Sequence, residues 1–154
     1  MIDHEGHGLF FGVGTGRCGT MWLARTLTGR TDTVALHEGK ADVGGADERK
    51  ILPYLTLQNL SAYNDPRDAP RMLEKTRGHM PVVAEEFGCA AFGDIAYNLA
   101  PFVANLFDRF PKARLVTLYR DGRTFVRSAY TREQPDPTPV GWPDADKPLS
   151  RQER

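Results

Sequence analysis

A chain of 154 residues, 26% charged and 40% hydrophobic, has the length and balance of an ordinary globular domain with a real core. Its formal net charge of zero excludes the global electrostatics of a nucleic-acid or acidic-membrane binder. Cys18 and Cys89 lack metal or redox-pair spacing, MIDHEGHG lacks the layout of a signal peptide, and no apolar run reaches the length of a membrane span. The expectation is a cytoplasmic protein with free thiols.

The first element is the strongest. Leu9, Phe10, Phe11 and Val13 predict a strand, Gly14, Gly16 and Gly19 a tight turn, and Leu23 and Leu27 the apolar side of a helix. A strand, glycine turn and helix N-terminus together form an anion site. First-turn N–H groups point outward, the helix dipole favours negative charge, and glycine lets a phosphate approach the main chain. Arg17 adds a permanently charged donor inside the turn.

Val34–Leu36 reads as a second strand ending at His37 and Glu38, followed by a loop over 39–46. Glu48–Ser61 has helical spacing, with Pro53 as an early-turn residue. Asp65 and Pro66 predict the start of a helix carrying Met72 and Leu73, stopped at Gly78. Pro81–Phe87 reads as a third strand with Glu85 and Glu86 at its far end, where salt-bridged sheet-end groups are the plainer reading. Ile95, Leu99, Phe102, Val103, Leu106, Phe107 and Phe110 form a 3.6-period stripe that predicts one amphipathic helix from Asp94, with Pro101 as a kink or a start. Leu115–Tyr119 is a fourth strand, and RDG leads into a helix over 124–130. Residues 131–154 carry five prolines (Pro135, Pro137, Pro139, Pro143, Pro148) and predict an extended tail beyond a domain spanning 1–130.

Alternating strands and helices imply a parallel sheet flanked by helices, with ligands beyond the carboxyl ends of the strands. The glycine turn, His37 and Glu38, Glu85 and Glu86, and Arg120 all fall at expected strand ends. The stretch from Arg109 to Arg132 carries Arg109, Lys112, Arg114, Arg120, Arg123, Arg127 and Arg132 against the single acid Asp121, which suits either an anionic ligand or a solvated basic face. His4 and His7 form an HxxH that reads as coincidence, and Trp22 reads as helix packing.

Three nucleotide-site patterns compete for the turn. A Walker loop needs Lys at Thr20 and Ser or Thr at Met21, so ATP or GTP hydrolysis is disfavoured. Gly14-x-Gly16-x-x-Gly19 matches the dinucleotide fingerprint, with Glu38 about 20 residues beyond it. The third pattern covers more of the chain. RCGTMWL, from Arg17 to Leu23, resembles the K/R-SGTTWL phosphosulfate loop of sulfotransferases that use 3′-phosphoadenosine 5′-phosphosulfate (PAPS). LYRDGRTFVRSAY, from Leu118 to Tyr130, is similar to that family's second element, a strand ending in RDPRD with a serine eight residues after the first arginine.

The resemblance spans residues 8–130 and implies a three-layer α/β/α fold of the P-loop nucleotide-binding type with a mainly parallel central sheet. It implies that Gly16, Arg17, Cys18, Gly19, Thr20, Met21 and Trp22 bind the phosphosulfate end of PAPS, and that Arg120 and Ser128 hold the 3′-phosphate. Cys18 and Met21 stand where the family has hydroxyl side chains, and Gly122 where it has proline. Sulfuryl transfer to the hydroxyl or amine of a small-molecule or carbohydrate acceptor would use Arg17 as a charge clamp and Glu38, or else His37, as base, with no metal. Family members continue past the second element, so a minimal or truncated member, acceptor contacts from another chain such as a homo-oligomer partner, and a non-catalytic nucleotide-binding module all stay open, as does a dinucleotide-dependent oxidoreductase.

Overall fold

The computed structural model describes residues 2–30, 32–42, 48–55, 65 and 67–130. The chain divides into two units, Met1–Tyr119 and Arg120–Arg154. In the first, β1 (Leu9–Gly14), β2 (Thr33–His37), β3 (Lys40–Asp42), β4 (Glu48–Lys50), β5 (Ala91–Ile95) and β6 (Arg114–Leu118) form one sheet in the order β4-β3-β2-β5-β1-β6. β1 pairs in parallel with β5 and β6, and β2 in parallel with β5. β3 and β4 extend the sheet by antiparallel pairing. The fold is α/β, with a mixed, mostly parallel six-stranded sheet.

Helices α1 (Thr20–Thr28), α2 (Asp68–Arg77), α3 (Met80–Phe87) and α4 (Val103–Arg109) belong to the same unit, and a 3-10 segment, Tyr97–Phe102, leads into α4. The period of two in β1 sorts its side chains. Leu9, Phe11 and Val13 join a cluster with Leu73, Met80, Ala84, Leu99, Phe102, Leu106 and Phe110 from α2 through α4 and the residue beyond it. Phe10 joins a second cluster with Ala35, Ile95 and Ala24 of α1, against which Leu23 and Leu27 pack. Gly93 is small because the Phe10 ring occupies the space where a Cβ would sit. Among the described residues, no helix is long and apolar enough to cross a membrane.

Several sequence expectations are corrected. Residues 81–87 form helix α3, not a strand. Pro81 sits in the first turn, where its missing N–H costs nothing, Ala84 and the two glutamates favour helix, and Gly88 closes the end at φ 62 with its N–H on the Glu85 carbonyl. The strand is Ala91–Ile95 instead, so Ile95 is a strand residue and Asp94 no helix start. The helical stripe survives only from Leu99, and Pro101 keeps its first part 3-10. Glu48–Lys50 is strand β4 rather than helix, and Lys40–Asp42 is strand rather than loop. Asp65 forms a turn before α2, accepting from Arg67 N–H, while Gly78 ends that helix as expected. The expected tail, 131–154, and the rest of the 48–61 segment beyond residue 55 lie outside the described residues.

One ion pair lies wholly inside. Arg77, the last residue of α2, and Asp94 in β5 have no exposed side-chain surface. Arg77 Nε donates to Asp94 Oδ2 at 2.8 Å. Nη2 lies 2.7 Å from the same oxygen with its N–H groups misaligned for a second bond, so it adds charge attraction alone. Arg77 Nη1 donates to the carbonyls of Pro53 and Thr76, both at 2.9 Å, and Asp94 Oδ1 accepts the Gly39 N–H at 2.8 Å. Two buried charges thus satisfy each other and two stretches of distant backbone. Arg77→Ala leaves an uncompensated carboxylate and is expected to cost about 3–5 kcal/mol. Urea unfolding followed by circular dichroism checks this; a loss below about 1 kcal/mol would show that the pair is not structural.

Candidate functional site

β1, β2, β5 and β6 run parallel, so Gly14, His37, Ile95 and Leu118 end on one edge of the sheet. Residues 15–19 join β1 to α1 along that edge. α1 begins at Gly19, which has φ 101 and caps the helix without a side-chain hydrogen bond, and its first turn holds no acidic residue. The outward N–H groups of that turn therefore meet neither a capping oxygen nor a competing carboxylate from the helix itself.

The glycines of the turn have different physical reasons. At Gly14 a Cβ would meet Cys18 Sγ and the Leu118 carbonyl oxygen, both at 2.7 Å, so packing requires glycine and Cys18 folds inward over it. Gly19 needs its positive φ. Gly16 has neither constraint: its φ is ordinary, and a Cβ there would meet nothing within 4 Å. Among the described residues, its smallness serves no packing contact. Arg17 adopts φ 64, a left-handed conformation that costs a non-glycine residue about 1–2 kcal/mol.

Thr20, buried at the start of α1, brings the second strand end to the turn. Its Oγ1 lies 3.1 Å from His37 Nε2, and His37 Nε2 lies 4.0 Å from Glu38 Oε1. Glu38 and Gly39 are the two-residue turn between β2 and β3, with φ 53 and 77, the signs of a type I′ hairpin. Asn-Gly is the favoured pair there, and glutamate is strained. The Glu38 N–H donates to the Ile95 carbonyl, and the Gly39 N–H to Asp94.

The structure also brings in two residues that sequence reasoning missed. Tyr54 stands near Glu38 and Tyr97, and its phenol is pushed up to about 12, first by burial and then by the Glu38 charge. Nothing in the local pattern around Pro53-Tyr54 marks this role. Asp94 carried a signal that could have been read, a carboxylate inside the apolar run AFGDI.

The remaining expected residues fall as follows. Met21 and Trp22 follow Thr20 on α1, and Trp22 is 69% exposed, so its expected packing role is corrected. Glu85 and Glu86 are exposed on α3, ahead of β5, and leave the carboxyl edge. His7 is paired with Asp3 at 2.6 Å, which lowers Asp3 to about 2, chiefly through that hydrogen bond. Asp3, Glu5 and His7 are the described group able to hold a metal, but Asp3 is bonded to His7 and Glu5 to Lys112. Arg109 pairs with Glu74, so part of the basic stretch is neutralised within the protein.

In the second unit, Asp121 caps helix α5 (Gly122–Tyr130), its Oδ1 accepting the N–H groups of Arg123 and Thr124. Arg120 Nε donates to Thr124 Oγ1 at 3.3 Å. Thr124 and Ser128 are i, i+4 on α5, so Arg120 bonds to the helix face that carries Ser128. The strand order departs from the dinucleotide arrangement, which sets the second strand beside the first; here β5 separates β1 from β2. Comparison with protein-family models, curated proteins and solved structures finds no match.

Two outcomes follow from the strained hairpin and the raised phenol. In a Tyr54→Phe background, which removes the phenol near the Glu38 charge, Glu38→Asn is expected to raise stability by about 1 kcal/mol. An unchanged urea midpoint would rule out strain at Glu38. Tyr54 is raised in the folded state, so its stabilising contribution is complete below pH 10 and disappears as pH climbs toward 12. The gap in urea midpoint between the wild type and Tyr54→Phe is expected to close over that interval.

Proposed function

We propose that the chain is a PAPS-dependent sulfotransferase that passes the sulfuryl group to a hydroxyl or amine acceptor by in-line transfer, on a three-layer fold of the P-loop nucleotide-binding type. The observation that carries the reading is the Thr20–His37 contact, which joins the glycine turn to the two base candidates inside one unit. Gly16 supports it, because a glycine whose Cβ position meets nothing within 4 Å among the described residues suits a phosphate oxygen against main chain. The resemblance of the Arg17–Leu23 and Leu118–Tyr130 elements supplies the sulfate and the 3′-phosphate.

The chemistry asks for positioning and charge stabilisation. Arg17 and the N–H groups of Gly19 and Thr20 face the charge developing on the sulfuryl and bridging oxygens. The acceptor oxygen or nitrogen attacks sulfur as the bond from sulfur to the 5′-phosphate oxygen breaks, and the acceptor proton passes to Glu38. His37, held on Thr20, keeps the strand end against the turn. PAPS is the co-substrate, and the reaction uses no metal.

Calorimetry with adenosine 3′,5′-bisphosphate, NAD and ATP side by side tests the reading. The bisphosphate is expected to bind, and Gly16→Ala to weaken it at least tenfold while leaving thermal stability within about 0.5 kcal/mol. Arg120→Ala is expected to lower bisphosphate affinity about 10–100-fold and to spare adenosine 5′-phosphate, as loss of a charged hydrogen bond to the 3′-phosphate requires. Equal losses for both ligands would remove the 3′-phosphate assignment. Binding of NAD alone would replace the reading with the dinucleotide one. Bisphosphate binding without transfer of labelled sulfate to any acceptor would leave a non-catalytic nucleotide-binding module.

A further inference from the structure

The two edges of the sheet are built differently. β4, at one end, is three residues long and charged throughout, Glu48-Arg49-Lys50, a composition that discourages a further strand from adding to it. β6, at the other end, reads Arg114-Leu115-Val116-Thr117-Leu118, with charge at its first residue alone and neither proline nor glycine. Apolar residues on both faces are the pattern of an interior strand in a parallel sheet, paired along both edges and covered on both sides. β6 lacks both. Among the described residues β1 is the strand that pairs with it, and Arg114 through Thr117 are all exposed, Leu115 at 36% and Val116 at 37%. β1 beside it is buried from Leu9 to Val13. Tyr119, immediately after β6, is 89% exposed.

We propose that β6 is the surface by which two copies of this chain associate, edge to edge and antiparallel about Val116, so that one sheet runs through both. The inference stands apart from the transferase reading. A two-fold axis normal to the sheet sets two such edges side by side and keeps the faces of the two sheets in line. Centred on Val116, it places Leu115 opposite Thr117 of the second copy and Arg114 opposite Leu118, with Val116 against its own counterpart. Leu115 and Thr117 continue the face that Phe11 and Val13 present to the main core, because they are the register partners of those residues on β1. Tyr119 falls opposite Ala113, a small residue. No charge meets a like charge. Moving the centre one residue toward the carboxyl end would set Arg114 opposite Arg120, and like charges across a strand pair repel. Moving it one residue the other way leaves Leu118 opposite Lys112, outside the strand. The choice of edge thus follows from charge, and the register from charge and overlap. One five-residue strand from each copy makes a small interface, below about 1,200 Å² in total, so the association is weak, with a dissociation constant of about 10–100 μM.

The test uses the full chain. Sedimentation equilibrium between about 1 μM and 1 mM is expected to show reversible doubling of the 17.2 kDa mass. Val116→Lys and Val116→Glu each set two like charges face to face on the axis, and each is expected to weaken association at least about tenfold. The position is exposed, so both variants are expected to keep the wild-type circular dichroism spectrum. Mixed in equal amounts, they are expected to associate with each other at least as tightly as the wild type does with itself. That rescue separates pairing at β6 from misfolding and from contact at another surface. Hydrogen exchange gives a second reading, in which the amides of residues 115–118 that do not bond to β1 gain protection as concentration rises. A chain that stays monomeric over the whole range overturns the proposal, as does a dimer that survives both like-charge variants or that mixing does not restore. Protection of those amides already complete in the dilute monomer would give the edge to another segment of the same chain and overturn it as well.

Discussion

The carboxyl edge of this sheet is assembled around one buried pair of charges. Arg77 and Asp94 have no exposed side-chain surface, and isolated ions in such a setting are very costly. They persist because each also hydrogen-bonds to backbone. Asp94 takes the Gly39 N–H and Arg77 takes the Pro53 carbonyl, which draws the β2–β3 turn and the 51–55 segment onto β5. Glu38 and Tyr54 are the residues adjacent to those two backbone groups. The pair contributes less through its own attraction than through the two loops it brings together, because any other placement of either loop strands a charge in the core.

Strain gathers at the same edge. Arg17 and Glu38 both hold left-handed backbone conformations that their residue types disfavour, and both are residues to which the sulfotransferase resemblance assigns chemistry. Asp32 shares the conformation, but aspartate tolerates it better. At Glu38 the cause is visible: a two-residue hairpin demands positive φ at both positions, and asparagine would meet the demand more cheaply. In the turn after β1, Gly16 has no neighbour among the described residues that would exclude a Cβ.

The second motif is organised differently. RDG behaves as a helix entry, with Asp121 spending its carboxylate on two N–H groups of α5. Thr124, bonded to Arg120, sets the arginine along the helix face that carries Ser128. The basic stretch around them is less uniform than its composition suggests, since Arg109 and Lys112 are committed to Glu74 and Glu5.

What the sequence determined alone was local. The β1–glycine turn–α1 unit, the strand ending at His37, the strand before Arg120 and the helix over 124–130 were all legible, because turn chemistry and side-chain period act over a few residues. Short apolar runs were not: PVVAEEF and AFGDI are ambiguous by period, and Pro81 and Gly88 decided the first as helix, while pairing with β1 and β2 made the second a strand. The packing of Thr20 on His37 and the approach of Tyr54 to Glu38 were decided by the tertiary structure alone. The first rests on pairing of β2 with β5, and the turn beside the second is held by the bond from Gly39 to Asp94, residues 55 apart in the chain; no local pattern encodes contacts that exist only once the sheet has closed.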